Sequence, residues 1–155
     1  MRDLEIASYA IGPGQAPYVI AEISANHRGS KAAAVELIQA ASEAGADAVK
    51  FQHYTPGTIT IECDHPDFRV GGGTLWDGRT LGDLYSEAAM PWEWTADLVE
   101  EATRAGIAWL SSPFDRSAVD FLDDLDVPAL KIASFEIVDL PLIRYSASKG
   151  RPLII

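Results

Sequence analysis

Two lysines stand where apolar strands are expected. Lys50 lies within Ala48-Val49-Lys50-Phe51-Gln52, and Lys131 within Ala129-Leu130-Lys131-Ile132-Ala133-Ser134. Each run is short, apolar at its flanks and preceded by a helix-like stretch, which is the context of a buried strand. A buried ammonium is costly unless an anionic group meets it. Two of them on neighbouring strands point to a pocket for a small anion. Strand side chains alternate between faces. Tyr18, Ile20, Glu22 and Ser24 therefore share a face of a first strand; Ala48, Lys50 and Gln52 share one of a second; Ala129, Lys131 and Ala133 share one of a later strand. The opposite faces are apolar and suit packing on helices. Glu22, Lys50, Gln52 and Lys131 then meet in one interior near the carboxyl ends of the strands. The plainer alternative, a Glu22–Lys50 ion pair with a structural role only, leaves Gln52 and Lys131 to be explained separately.

The elements that must position these residues follow a recurring pattern: a helix-like segment ends at glycine and a short apolar strand follows. Ala44-Gly45 precedes Ala48–Gln52, Ala105-Gly106 precedes Ile107–Ser112, and Lys149-Gly150 precedes Pro152–Ile155. Glycine is the usual residue just past a helix, where φ is positive. Asp124–Pro128 does the same before Ala129–Ser134, with Asp and Pro in place of Gly. In Ser30–Glu43, Ala33, Leu37, Ile38 and Ala41 fall on one face, with Ser30 as N-cap. Pro91–Arg104 carries Trp94, Leu98 and Ala102 on one stripe, and Arg116–Leu125 carries Val119, Phe121 and Leu122. Leu140–Ser148 places Pro141 in its first turn. Alternating strands and helices imply a parallel sheet with helical crossovers, either a doubly wound sheet or a (β/α)₈ barrel. Strands of a doubly wound sheet are usually apolar on both faces, so one polar face per strand favours the barrel. A complete barrel takes about 250 residues, and the pattern here reaches a fifth strand.

Residues 53–90 interrupt this rhythm. They are rich in Pro, Gly and Asp, contain Gly71-Gly72-Gly73, and follow the carboxyl end of the second strand, where an active-site excursion is expected. A short helix is expected around Leu81–Ala89. Within the leading segment, residues 1–16, Leu4–Ile11 reads as a small strand closing the barrel bottom.

The 155 residues suffice for a core, and 48% are hydrophobic, which excludes disorder. A formal net charge of −11 argues against nucleic acid as a partner. No apolar run is long enough to cross a bilayer, so no membrane partner is expected. Met1-Arg2-Asp3-Leu4-Glu5 lacks the features of a secretory signal. The one cysteine, Cys63, fits a reducing cytoplasm.

Four motifs, in order, carry a family resemblance: Ala21-Glu22-Ile23-Ser24-Ala25-Asn26-His27, Ala44 to Gln52, Ser111-Ser112-Pro113-Phe114-Asp115, and Lys131-Ile132-Ala133-Ser134-Phe135-Glu136. From about Pro17 onward the chain resembles the sialic acid synthase family, which condenses phosphoenolpyruvate with an amino sugar to a nonulosonic acid. Leu75-Trp76-Asp77-Gly78-Arg79-Thr80-Leu81, Asp83-Leu84-Tyr85 and Pro91-Trp92-Glu93-Trp94 are most similar to its pseudaminic acid synthase branch. Departures are Arg28 where the family often has another polar residue, Ser112 where it often has Thr, and Gly82 where the branch often has an aromatic.

The resemblance implies an α/β fold: the first four βα units and fifth strand of a (β/α)₈ TIM barrel, residues 1–155 forming its N-terminal half. The other half-barrel, with two metal-binding histidines, and a small antifreeze-like domain that lends an arginine to the partner's site lie outside this sequence. The implied activity of an intact parent is condensation of phosphoenolpyruvate with a 2,4-diacetamido-2,4,6-trideoxy hexose to give pseudaminic acid and phosphate. The alternatives are an N-acetylneuraminate or related nonulosonate synthase and, in another class, a catalytically inactive half-barrel associating through exposed edges. Negligible turnover is expected from these residues alone. The resemblance further implies a divalent metal, Mn or Mg, with no ligand in this chain, and a homodimer at full length. It casts Lys50 and Lys131 with Ser112 and Ser134 as the phosphoenolpyruvate site, Glu22 and Glu136 as catalytic carboxylates, and Gln52 as a sugar contact. His27 takes a substrate or positioning role. Arg79 either contacts substrate or pairs with Asp77.

Other residues have plainer readings. Cys63, Asp64, His65 and Asp67 fit no standard zinc spacing and read as loop. Gly71-Gly72-Gly73 lacks the Lys and Ser/Thr of a P-loop and reads as a hinge in a lid. Asp115 caps the next helix, Trp92 and Trp94 pack a helix start onto the barrel, and the acidic run Asp120–Asp126 is a solvated helix face.

Overall fold

The computed structural model describes residues 4–74 and 76–155; Met1–Asp3, at the sequence start, and Leu75, in the excursion motif, lie outside the described residues. Five parallel strands form one sheet in chain order: β3 (Ile20–Glu22), β4 (Ala48–His53), β5 (Ala108–Pro113), β6 (Leu130–Lys131) and β7 (Leu153–Ile154). Before them β1 (Leu4–Ile6) and β2 (Tyr9–Ile11) make a hairpin. A doubly wound sheet would reverse its strand order at a switch point. The order here does not reverse, and the helices cover one face, so the chain is a partial (β/α)₈ barrel.

The two sheet faces separate as the side-chain alternation requires. Val49, Phe51, Trp109 and Leu130 pack outward with Ile38, Leu98, Val119, Leu122 and Leu142 of the helices. These helices are α1 (Lys31–Glu43), α4 (Thr95–Arg104), α5 (Arg116–Asp124) and α6 (Leu140–Ser148). Inward, Ala48, Leu110 and Ala129 meet Ile6 of the hairpin, with Tyr18, Ile20 and Ile154 around them. That cluster lies at the strand starts, so the hairpin plugs the amino end and the polar residues are left to the carboxyl end.

Local signals explain most boundaries. Ser30 accepts a hydrogen bond from the Ala33 N–H and caps α1; Asp115 accepts from Ser117 and Ala118 and caps α5. Gly45 and Gly106 stop α1 and α4 at φ of 85° and 76°, and Asp126 takes φ of 55° after α5, the substitution of Asp for Gly that the sequence showed.

Four expectations need correction. Leu4–Ile11 is two strands: Ala7 and Ser8 both take positive φ, giving the two-residue turn whose twist suits a hairpin. The strand expected over Ala129–Ser134 is only two residues long, because Ser134–Val138 coils into a 3₁₀ turn. Pro91–Arg104 is a 3₁₀ turn, Trp92–Trp94, running into α4. The excursion starts one residue later than expected, since His53 completes β4.

The excursion contains α2 (Pro56–Ile59) and α3 (Leu81–Ala88). Tyr85 of α3 packs edge-on to Tyr54, and Tyr54 on Phe114, so the excursion docks on the carboxyl ends of β4 and β5. Phe135 and Val138, just after β6, are 86% and 80% exposed. Among the described residues no helix is long and apolar enough to cross a membrane.

Candidate functional site

The site grows from the parallel register. Glu22 of β3 pairs with Lys50 of β4, and Lys50 with Leu110 of β5. Gln52 pairs with Ser112, and Ser111 with Leu130, which sets Lys131 level with Ser112. Lys131 also pairs with Ile154, a member of the inner apolar cluster. Lys50, Gln52, Ser112 and Lys131 therefore share the inner face. The two lysines are not on adjacent strands; β5 stands between them and supplies Ser112.

Lys50 is buried and its amine forms an ion pair with Glu22. It also donates to the Ser112 hydroxyl at 3.4 Å. The Glu22 side chain keeps 46% of its surface exposed, so the pair spans the boundary between core and mouth. Ser24 Oγ donates to Gln52 Oε1 at 2.8 Å, which fixes the amide oxygen and leaves the NH₂ as its donor. On the 3₁₀ turn after β6, one carboxylate oxygen of Glu136 is buried without a partner. Burial pushes its pKa up, while the Glu136 backbone N–H and the Lys131 charge oppose that. A carboxyl so placed holds a proton more readily than an ordinary glutamate.

Other expected site residues lie apart from this cradle. Ser134 is exposed at the start of the 3₁₀ turn. His27 is fully buried, its ring edge-on to Trp94 with centroids 5.6 Å apart. Its Nδ1 accepts from the Gly29 N–H at 3.0 Å, so it anchors the loop after β3. Burial lowers its pKa. Arg79 pairs with Glu87 and donates to the Asp83 carbonyl; Asp77 is not its partner, because its carboxylate accepts from the Gly73 and Thr74 N–H groups. Trp92 lies 4.9 Å from Phe121 between ring centroids, the packing role expected of it.

Among the buried polar residues that no motif singled out, His53 joins the most elements. His53 faces the helices, with Nδ1 2.7 Å from Ser111 Oγ and Nε2 2.8 Å from Thr95 Oγ1. Burial lowers its pKa to about 4, so it is a neutral tie between β4, β5 and α4. The signal was its odd position in the β4 alternation, opposite to Gln52.

Among the described residues no group of three or more His, Cys, Asp or Glu side chains converges to hold a metal ion. Asp64 is engaged by Arg69, and His65 accepts from the Asp67 N–H. The divalent metal implied by the resemblance finds no ligand set among the described residues.

Comparison with known proteins agrees with this architecture. The chain is 46% identical over 138 residues to pseudaminic acid synthase of Campylobacter jejuni, covering 89% of this chain and 40% of that protein. Among solved structures, the spore coat polysaccharide biosynthesis protein SpsE of Bacillus subtilis superposes with a TM-score of 0.75 at 32% identity, over 97% of this chain and 38% of the other. The N-acetylneuraminic acid synthetase of Leptospira borgpetersenii superposes with a TM-score of 0.82 at 24% identity, over 98% and 48%; at that identity it speaks for the fold. The chain thus spans about 40% of the length of the curated relative. The NeuB family model matches residues 37–155, which carry Lys50, Ser112, Lys131 and Glu136, and the chain belongs to the NeuB family.

Proposed function

We propose that this chain supplies the phosphoenolpyruvate cradle of a pseudaminic acid synthase, condensing phosphoenolpyruvate with a 2,4-diacetamido-2,4,6-trideoxy hexose. The observation that carries the reading is the buried Lys50 amine, paired with Glu22 and touching Ser112 at the carboxyl end of the sheet. Lys131 on the same face is the second cation. Point charges of this kind suit a phosphate and carboxylate on one small molecule. Glu22, half exposed, is able to turn toward the sugar while Lys50 takes up the anion; Ser112 donates from beside the Lys50 amine, and Ser134 from the exposed turn after β6.

In the proposed reaction the methylene carbon of phosphoenolpyruvate forms a bond to the aldehyde carbon, and the aldehyde oxygen gains a proton. Water adds to the carbon bearing the phosphate, the carbon–oxygen bond to phosphate breaks, and inorganic phosphate leaves behind a keto acid. Glu136, which burial biases toward its protonated form, and Glu22, paired with the Lys50 amine, fit the acid and base roles. Gln52 presents its amide to sugar hydroxyls. His27 acts by holding the loop that follows β3. In the same reading the working enzyme is a cytoplasmic homodimer with a metal held by residues outside this chain.

The test is phosphate release by the full-length enzyme containing these residues. Lys50→Ala is expected to raise KM for phosphoenolpyruvate at least about tenfold, with little change in KM for the sugar. An unchanged KM for phosphoenolpyruvate would remove Lys50 from the site.

A further inference from the structure

A cavity of about 650 Å³ opens between the loop after β3 and the end of α3, lined by Ala25, Asn26, Arg28, Trp76, Glu87 and Ala88. One wall residue is tied to the end of β3: the Asn26 amide donates to the Glu22 backbone carbonyl at 3.4 Å. The loop is held from both sides, by Ser24 on Gln52 and by His27 beneath Trp94. Ser24 and Arg28 take φ of 43° and 50°, a left-handed backbone that non-glycine residues adopt at a cost and that clusters at functional positions.

Arg28 is exposed, and among the described residues its guanidinium has no ion pair or hydrogen bond. Glu87, across the cavity, is already engaged by Arg79. The open donors are thus a guanidinium and the second N–H of the Asn26 amide, beside an indole ring and two alanine methyls. Such a wall recognises a carbonyl oxygen carried on a small apolar group. The nearby Glu87 carboxylate and the acidic chain favour a neutral carbonyl over a second anion.

Building on the reading of the site given above, we propose that Arg28 and Trp76 are specificity determinants for an N-acyl group of the sugar: Arg28 donates to the acyl oxygen and Trp76 packs its alkyl part. Neither Lys50 nor Gln52 lines the cavity, so the acyl group is one borne away from the carbon that joins phosphoenolpyruvate.

The full-length enzyme containing these residues is assayed with phosphoenolpyruvate and a diacetamido sugar, and with the same sugar bearing hydroxyl in place of each acetamido group in turn. Arg28→Ala should raise KM for the diacetamido sugar about 10- to 100-fold, leaving KM for phosphoenolpyruvate unchanged. On the one analogue lacking the recognised acyl group the penalty should vanish. Arg28→Lys should recover part of the loss, and Trp76→Ala should show the same acyl-dependent loss, which decides the matter if Arg28→Ala fails to fold. Equal KM changes on all sugars, or no change, overturn the assignment while leaving the functional reading intact. No phosphate release by the unaltered enzyme with any acylamino sugar overturns both.

Discussion

Lys50 and Glu22 occupy paired positions on adjacent parallel strands, and their side chains close an ion pair whose amine is buried and whose carboxylate is half exposed. The asymmetry matters energetically. Removing the carboxylate strands a buried cation, whereas removing both charges does not.

Glu22→Gln should therefore destabilise the fold by about 1 kcal/mol, discounted for the exposure of Glu22. The double variant Glu22→Gln, Lys50→Met should lose less than the two single changes together. Urea melts of the four proteins check this. In the full-length enzyme Glu22→Gln should also cut turnover about 100-fold; turnover at the unaltered rate would take Glu22 out of catalysis.

His53 is buried neutral between Ser111 and Thr95, with its pKa lowered to about 4. Above pH 6.5 neither folded nor unfolded chain protonates it, so its full contribution is present. As pH falls from 6.5 to 4 the unfolded chain binds the proton first, and stability drops by up to about 3 kcal/mol. His53→Gln should flatten that part of the stability profile. A profile equally steep in the variant would assign the acid lability elsewhere.

Glu136 runs the other way. Burial raises its pKa, so the protonated form suits the folded state. Its contribution is fully present below the ordinary glutamate pKa and is lost as pH rises through the raised value. Glu136→Gln should stabilise the fold at neutral pH and leave acidic stability little altered, read by thermal melts at both pH values. The same substitution should abolish the alkaline limb of the pH–rate profile of the full-length enzyme, where loss of the Glu136 proton lowers the rate.

Asp115 caps α5 through the Ser117 and Ala118 N–H groups. Asp115→Ala should cost about 1 kcal/mol by denaturant melt, and Asp115→Asn should recover most of it. A loss as large in the Asn variant would place the effect outside capping.

The repeating order of strands and helices, the stops at Gly45, Gly106 and the Asp124–Pro128 segment, the caps at Ser30 and Asp115, and the inner face holding Lys50, Gln52 and Lys131 are all legible in the residue order. These are local properties: periodicity, backbone allowance and side-chain parity act within a few residues. Partnership between distant groups is set by the folded chain. Arg79 met Glu87 rather than Asp77 because the loop fold gave Asp77 two backbone donors. His53 became a buried tie because Ser111 and Thr95, distant in sequence, arrived at its two nitrogens. β6 ended after Lys131 because the chain turned into a 3₁₀ coil that carries Glu136. Which group pairs with which depends on distances set only when the sheet closes, and no local pattern encodes those distances.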